Sequence, residues 1–195
     1  MAPRIHRVQA ADLPVYAAIP TAFTVESIYT IRACEGGLAG LAMAEERVDP
    51  YVKDYDALAD DHDDGVVGWA TAWDVTDWGI FLAVDDSGPV GGVTVAVGVD
   101  QYVPTAGADE GVLWDIRVRP TRRREGIGAR LFDRAADWAR SEGLARLRIE
   151  TQNVNAPACR LYASRGCELG VIHRYGYGSH PEVGHEAMLL WYLAL

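Results

Sequence analysis

Residues 111–143, GVLWDIRVRPTRRREGIGARLFDRAADWARSEG, restrict the fold more than any other stretch of the chain. They begin as a β-rich run stopped by Pro120 and continue through a turn that holds Gly126 and Gly128. From Gly126 to Ser141 the period becomes helical: Ile127, Leu131, Ala135 and Trp138 fall on one stripe, with Arg130, Arg134 and Asp137 away from it. Gly143 supplies the C-terminal stop. Strand, tight turn and amphipathic helix in that order belong to an α/β domain.

The turn itself has the makings of an anion site. Backbone N–H groups at a helix start point outward, and the helix dipole favours negative charge there. Gly126 and Gly128 allow close approach of a ligand to backbone, and Arg122, Arg123 and Arg124 add charged donors. Two phosphate loops are excluded by spacing. No G-x-x-x-x-G-K-[ST] occurs, and G-x-G-x-x-G fails because Leu131 stands where the third glycine belongs. What remains is R-x-x-G-x-G, formed by Arg123, Gly126 and Gly128. Alone, that hexapeptide fits a solvated helix start equally well.

Its surroundings extend the pattern. RIHRV and AADLPVYAAI read as a strand and a helix, with Asp12 as N-cap and Pro14 in the first turn. FTVESIYTI alternates, with Phe23, Val25, Tyr29 and Ile31 on one face. Glycines 36, 37 and 40 loosen the middle, and the acidic DPYVKDYDALADDHDDG reads as a loop with a short helix. Residues 79–99 form a hairpin around Asp85-Asp86-Ser87-Gly88-Pro89. After the central unit come a strand (LARLRIET), a short helix ended by Gly166, a strand (CELGVIHRY), the loop GYGSHPEVGH and a final apolar strand, EAMLLWYLAL. The order from the hairpin onward is β-β-β-α-β-α-β-β, and no repeat or linker interrupts it.

With 195 residues, one domain spanning 1–195 is expected. A formal net charge of −10 argues against a nucleic-acid binder and suits a cationic partner, although solubility alone accounts for it equally. Lys53 is the only lysine among otherwise arginine cations. Three cysteines without C-x-x-C spacing indicate neither zinc nor a disulfide framework. The N-terminus lacks the apolar core of a secretory signal and no run of about 18 apolar residues occurs, so no membrane span and a cytoplasmic location are expected.

Taken together, these motifs resemble the GCN5-related N-acetyltransferase (GNAT) superfamily. R-x-x-G-x-G resembles the motif that cradles the pyrophosphate of acetyl-coenzyme A, WDIRVRP resembles the strand before it, and NVNAPACRLYASRGCE resembles a second family motif. IETQNVNAPACRLYASRGC, the terminal WYLAL and the upstream DPYVKDYD look most like streptothricin acetyltransferases. The superfamily resemblance covers residues 79–195 best. Cys167 departs from it, standing where phenylalanine usually follows the glycine. The resemblance implies a central mixed, mostly antiparallel sheet flanked by helices, acetyl-CoA as co-substrate, no metal, and a homodimer.

Direct transfer from thioester to amine needs positioning, a deprotonated amine and help for the leaving thiolate. The resemblance places pantetheine along Ile116, Arg117 and Val118. It places the pyrophosphate at Arg123, Arg124, Gly126, Ile127, Gly128 and Ala129, and a polar contact to the cofactor arm at Asn155. Tyr162 maps to the tyrosine that protonates the sulfur; a phenol with pKa about 10 keeps its proton at neutral pH. Asp115 and Glu150 are candidates to take the amine's proton, each open to two other readings: recognition of a cationic amine, or pairing with an arginine. Strand alternation sets Asp115 and Arg117 on one face, with Trp114, Ile116 and Val118 on the other.

Other patterns carry less. Asp60, His62, Asp64 and Gly65 begin like a calcium loop, but Thr71 occupies the closing position. His180 and His185 lack metal-ligand spacing, and Cys159 and Cys167 lack a paired base and read as buried apolar residues. Trp69, Trp73 and Trp78, with Tyr29, could wall an acceptor pocket or simply pack a core. The expected activity is N-acetylation of a small cationic amine, a streptothricin-type antibiotic foremost. A protein, peptide or polyamine acceptor, or a non-catalytic acyl-CoA sensor, are the alternatives.

Overall fold

The structure, a computed structural model, describes residues 2–58, 65–99, 107 and 109–195. Two compact units divide the chain, each assembled from separated segments. The first comprises Met1–Phe23, Asp54–Ile149 and Leu193–Leu195; the second comprises Thr24–Lys53 and Glu150–Tyr192.

The first unit is built on the hairpin of β4 (Gly79–Asp85) and β5 (Gly88–Ala96). Asp85 closes its turn: one carboxylate oxygen accepts from the Ser87 N–H at 2.8 Å and from its hydroxyl at 2.6 Å. β1 (Arg4–Arg7) pairs antiparallel with β4, and β6 (Glu110–Val118) pairs antiparallel with β5. β7 (Arg146–Gln152) then joins parallel to β6 over Glu110–Leu113 and Arg146–Ile149. A parallel pair needs a crossover, and α3 (Ile127–Ser141) supplies it. The order is β1-β4-β5-β6-β7, a mixed and mostly antiparallel sheet, as expected.

Each face of this sheet is sealed by a helix, and β5 shows why its residues are small. Ile127, Leu131, Ala135 and Trp138 of α3 are all buried, as the stripe predicts. A Cβ at Gly91 would stand 2.9 Å from Leu131 Cδ1, so only glycine admits α3 at that distance. At Gly92, on the opposite face, a Cβ would overlap the ring of Tyr16 from α1 (Leu13–Ala17). Tyr16 is fully buried there with Trp78, Ile80 and Leu82; Trp69 of α2 (Gly65–Ala72), Trp73 and Trp114 pack against the same cluster.

Trp114 corrects the expected alternation. The β5–β6 register shifts so that Thr94 pairs with Asp115 while Val95 pairs with Leu113. Trp114 is the extra residue of a β-bulge. Its ring lies 5.2 Å from Trp73 and 5.3 Å from Trp78, on the Tyr16 side that Asp115 also faces.

In the second unit β2 (Phe23–Ala33) and β3 (Leu41–Lys53) form a two-stranded sheet. β3 overturns the expectation of a loop through DPYVK. Asp49–Val52 is exposed edge strand, where Pro50 is tolerated, and Lys53 at its end is buried against Glu186. The end of β7 continues into the order β7-β9-β8, with β9 (Met188–Ala194) antiparallel to β8 (Glu168–His173). α4 (Ala156–Ser164) buries Ala156, Cys159 and Tyr162, and Leu189, Leu190 and Trp191 are buried from β9.

Candidate functional site

Within the first unit the bulge coincides with a change at the edge of β6. The ladder to β7 ends at Leu113, and no described strand pairs with that edge beyond it. Backbone polar groups in a strand alternate between its two edges. Arg119 donates its N–H to Val90 on the β5 side, so Ile116 and Val118 turn their backbone groups the other way, to the open edge.

Five residues further on, the chain enters the glycine turn. Arg124 has φ +69° and Gly126 has φ +78°; both lie in the left-handed region, costly for arginine and free for glycine. The first helical bond of α3 runs from the Arg130 N–H to the Gly126 carbonyl. The N–H groups of Ile127, Gly128 and Ala129 therefore precede the hydrogen-bonded ladder, and no described side chain caps them. An open strand edge thus leads directly to a cluster of open donors at the positive end of a 15-residue helix.

The arginines divide their work. Arg122 is ion-paired to Asp85 and Glu125, and those hydrogen bonds raise its pKa. Asp85 in turn is held well below the usual carboxylate range, first by Ser87 and then by Arg122. Arg123 donates to the carbonyls of Val118, at 3.0 Å, and Thr21, at 3.2 Å; its burial lowers its pKa. Both therefore brace the turn. Arg124 is exposed and has no hydrogen-bond or ion-pair partner among the described residues.

Asp115 pairs with an arginine, one of the three readings open for it. Arg117 donates through Nε to Oδ1 at 2.9 Å and through Nη2 to Oδ2 at 2.7 Å, and Tyr16 adds its hydroxyl to Oδ1 at 2.7 Å. Arg117 also reaches the Ile19 carbonyl at 3.0 Å and Asp56 at 3.3 Å. Burial works against its charge, but Asp115 more than offsets this and raises its pKa. The Tyr16 phenol is pushed well above its ordinary value by burial and then by the Asp115 charge, so it stays a donor.

In the second unit Asn155 is the N-cap of α4, accepting from the Ala158 N–H at 3.2 Å. Tyr162 lies about two turns further along α4, 3% exposed, its ring 6.3 Å from that of Trp191. Glu150, on β7, is exposed and takes a 2.8 Å hydrogen bond from the Tyr177 hydroxyl. Neither Tyr177 nor Asn153 announces itself in sequence periodicity, because both sit in irregular backbone. Asn153 is the more connected. Its Nδ2 donates to the Tyr29 carbonyl and its Oδ1 accepts from the Ala187 N–H, both at 2.8 Å, while its own backbone bonds the same two residues.

The remaining patterns resolve as follows. Asp60, His62 and Asp64 lie outside the described residues, and no group of metal-ligating side chains stands together among the described ones. Burial pushes the Cys159 thiol up to about 12 and Cys167 up to about 11, which makes both poor nucleophiles. Trp69, Trp73 and Trp78 pack the Tyr16 cluster of the first unit; Tyr29 belongs to the second, its phenol raised by burial and by Glu45. No described helix is long and apolar enough to cross a membrane.

The model of the acetyltransferase (GNAT) family matches residues 40–167. A streptothricin acetyltransferase of Escherichia coli is 30% identical over 170 residues, covering 87% of this chain and 84% of that protein. The crystal structure of a nourseothricin acetyltransferase superposes with TM-score 0.75 at 26% identity, over 100% of this chain and 99% of that one. A putative streptothricin acetyltransferase from Bacillus anthracis, solved with acetyl coenzyme A, shares the fold with TM-score 0.74 at 21% identity, over 100% and 98% of the two chains.

Proposed function

Since this chain belongs to the GNAT acetyltransferase family and is an acyltransferase, we propose that it moves the acetyl group of acetyl-CoA directly onto a primary amine of a small cationic acceptor, a streptothricin-type antibiotic foremost. The observation that carries the cofactor half is the open edge of β6 running into the uncapped start of α3. Pantetheine amides would extend the strand at Ile116 and Val118, and the pyrophosphate would take the N–H groups of Ile127, Gly128 and Ala129 with Arg124 beside them. The antibiotic reading is supported by the names of the relatives and by the acidity of the chain.

The amine nitrogen attacks the thioester carbonyl, the C–S bond breaks, one amine proton leaves and the thiolate is protonated. Tyr162 is the donor to sulfur in this reading, and Asn155 contacts the cofactor arm while capping α4. An alkylammonium with pKa about 10 is neutral in roughly a thousandth of molecules at pH 7, so a proton acceptor contributes directly to rate. Glu150 takes that role. Asp115, already committed to Arg117 and Tyr16, instead fixes the strand.

Thiol release from acetyl-CoA, followed at neutral pH with streptothricin, spermidine and a short peptide with a free N-terminus, tests the reading. Release that depends on streptothricin is expected. Release with the polyamine or the peptide alone would refute the antibiotic acceptor and keep the transfer chemistry. Tyr162→Phe should reduce turnover at least tenfold with acetyl-CoA affinity retained; unchanged turnover removes its role.

A further inference from the structure

We infer that Tyr177 is the positioning residue for Glu150, holding one of its carboxylate oxygens so that the other is presented to the acceptor's ammonium group. This rests on the proposed role of Glu150.

Glu150 projects from β7 as an exposed side chain, and an unheld glutamate there samples several rotamers. The Tyr177 hydroxyl donates to Oε1 at 2.8 Å, the one hydrogen bond Glu150's side chain makes with a described residue. One oxygen is thereby fixed and the other left for a ligand. A phenol suits such a support, because it donates one hydrogen bond, carries no charge at neutral pH, and leaves the carboxylate anionic toward a cationic amine.

Turns in the loop between β8 and β9 fix the backbone at Tyr177. Its own carbonyl accepts from the His180 N–H at 2.8 Å, and the Gly178 N–H bonds the Tyr175 carbonyl at 3.1 Å, so Tyr177 sits inside two consecutive turns. Gly184 closes over them. A Cβ there would lie 2.8 Å from the His180 carbonyl oxygen and 3.3 Å from that of Tyr177, so the loop folds on itself only with glycine at this point. The phenol is thus anchored from its backbone outward, and the carboxylate is anchored from the phenol.

The test uses the full-length protein with acetyl-CoA and streptothricin. Tyr177→Phe should lower kcat/KM for the acceptor about tenfold to a hundredfold, the range for losing a hydrogen bond to a charged group, while KM for acetyl-CoA stays unchanged. In a Glu150→Gln background Tyr177→Phe should cause no further loss, because the carboxylate it orients is gone. Glu150→Asp, which withdraws the carboxylate from the phenol by one methylene, should match Tyr177→Phe and also be insensitive to it. A loop-stability role would instead give losses that multiply in the double variants and a raised KM for acetyl-CoA; that result overturns the inference. Full activity of Tyr177→Phe beside an impaired Glu150→Gln overturns it too, with Glu150 retaining its role. Full activity of Glu150→Gln overturns both assignments and leaves acetyl transfer standing.

Discussion

Asn153→Ala removes a side chain that bonds two separate segments of the second unit. The side chain makes two hydrogen bonds of 2.8 Å, to the Tyr29 carbonyl of β2 and from the Ala187 N–H ahead of β9. Truncation strands both partners. Ala187 is 6% exposed, so its N–H has little access to water, and a buried donor left unmade costs about 1–3 kcal/mol. The Tyr29 carbonyl is half-buried and recovers part of its loss by hydration, leaving about 0.5–1.5 kcal/mol. The backbone bonds from the Tyr29 N–H to Asn153 and from the Asn153 N–H to Ala187 survive the change. Together these give a loss of about 2–4 kcal/mol, a fall in Tm of about 5–15 °C for a chain of this length. Urea unfolding monitored by far-UV circular dichroism reads this as a lower midpoint. Asn153→Asp keeps the acceptor for Ala187 but faces the Tyr29 carbonyl with a second oxygen. It should be as damaging at pH 7, and recover as pH falls, because the folded state then favours the protonated acid that can donate. An unfolding free energy within about 0.5 kcal/mol of wild type for Asn153→Ala would refute the idea that this side chain joins the two segments.

Three further outcomes follow from the packing. Glu186→Ala should destabilise by about 3–5 kcal/mol in the same unfolding assay, since it removes the carboxylate that pairs with the buried Lys53 ammonium; a neutral effect would refute a stabilising role for this ion pair. Gly126→Val should lower stability by about 1–2 kcal/mol through its φ of +78° and raise the acetyl-CoA dissociation constant measured by calorimetry, and unchanged affinity would remove the turn from the cofactor site. A thiol-reactive chromophore at pH 8 should modify Cys34 in the native protein and all three cysteines only after unfolding. The sign of the pH dependence follows: the folded thiols of Cys159 and Cys167 have raised pKa values, so their contribution is present below about 9 and is lost as pH climbs toward about 11–12.

The regular elements around the central unit were legible because their residues obey one period at a time. The α3 stripe, the stop at Pro120 and the hairpin at Asp85 are local, and local rules place them. β3 was not legible. Its Asp49-Pro50 and charged flanks favour a loop by propensity, and only pairing with β2 makes it a strand. The bulge at Trp114 was hidden for a similar reason: period-two alternation assumes an uninterrupted ladder, and nothing in WDIRV marks where the register slips. Of the candidate site residues, those defined by backbone, Gly126 through Ala129, could be read from glycine spacing. Pairing of Asp115 with an arginine was among the readings sequence offered, and alternation sets Arg117 on its face. The tyrosines on Asp115 and Glu150 could not be read, since Tyr16 and Tyr177 lie 99 and 27 residues away.

That distinction matters most for the two carboxylates, which sequence leaves with equal standing as proton acceptors. A general base must have an oxygen free to receive a proton and must gain by receiving it. Asp115 has both oxygens on a guanidinium that is 5% exposed, with a phenol on one of them as well. Both oxygens are thus engaged, and neither is free to face an acceptor amine. Those bonds in turn hold Ile19 and Asp56 against β6 at the very residues whose opposite edge is open. Glu150 carries a single neutral donor on one oxygen and faces solvent. Its other oxygen can meet an acceptor amine without dismantling an ion pair. The residue with fewer partners is therefore the better candidate for the base proposed above, and the one with more fixes β6 beside Ile19 and Asp56.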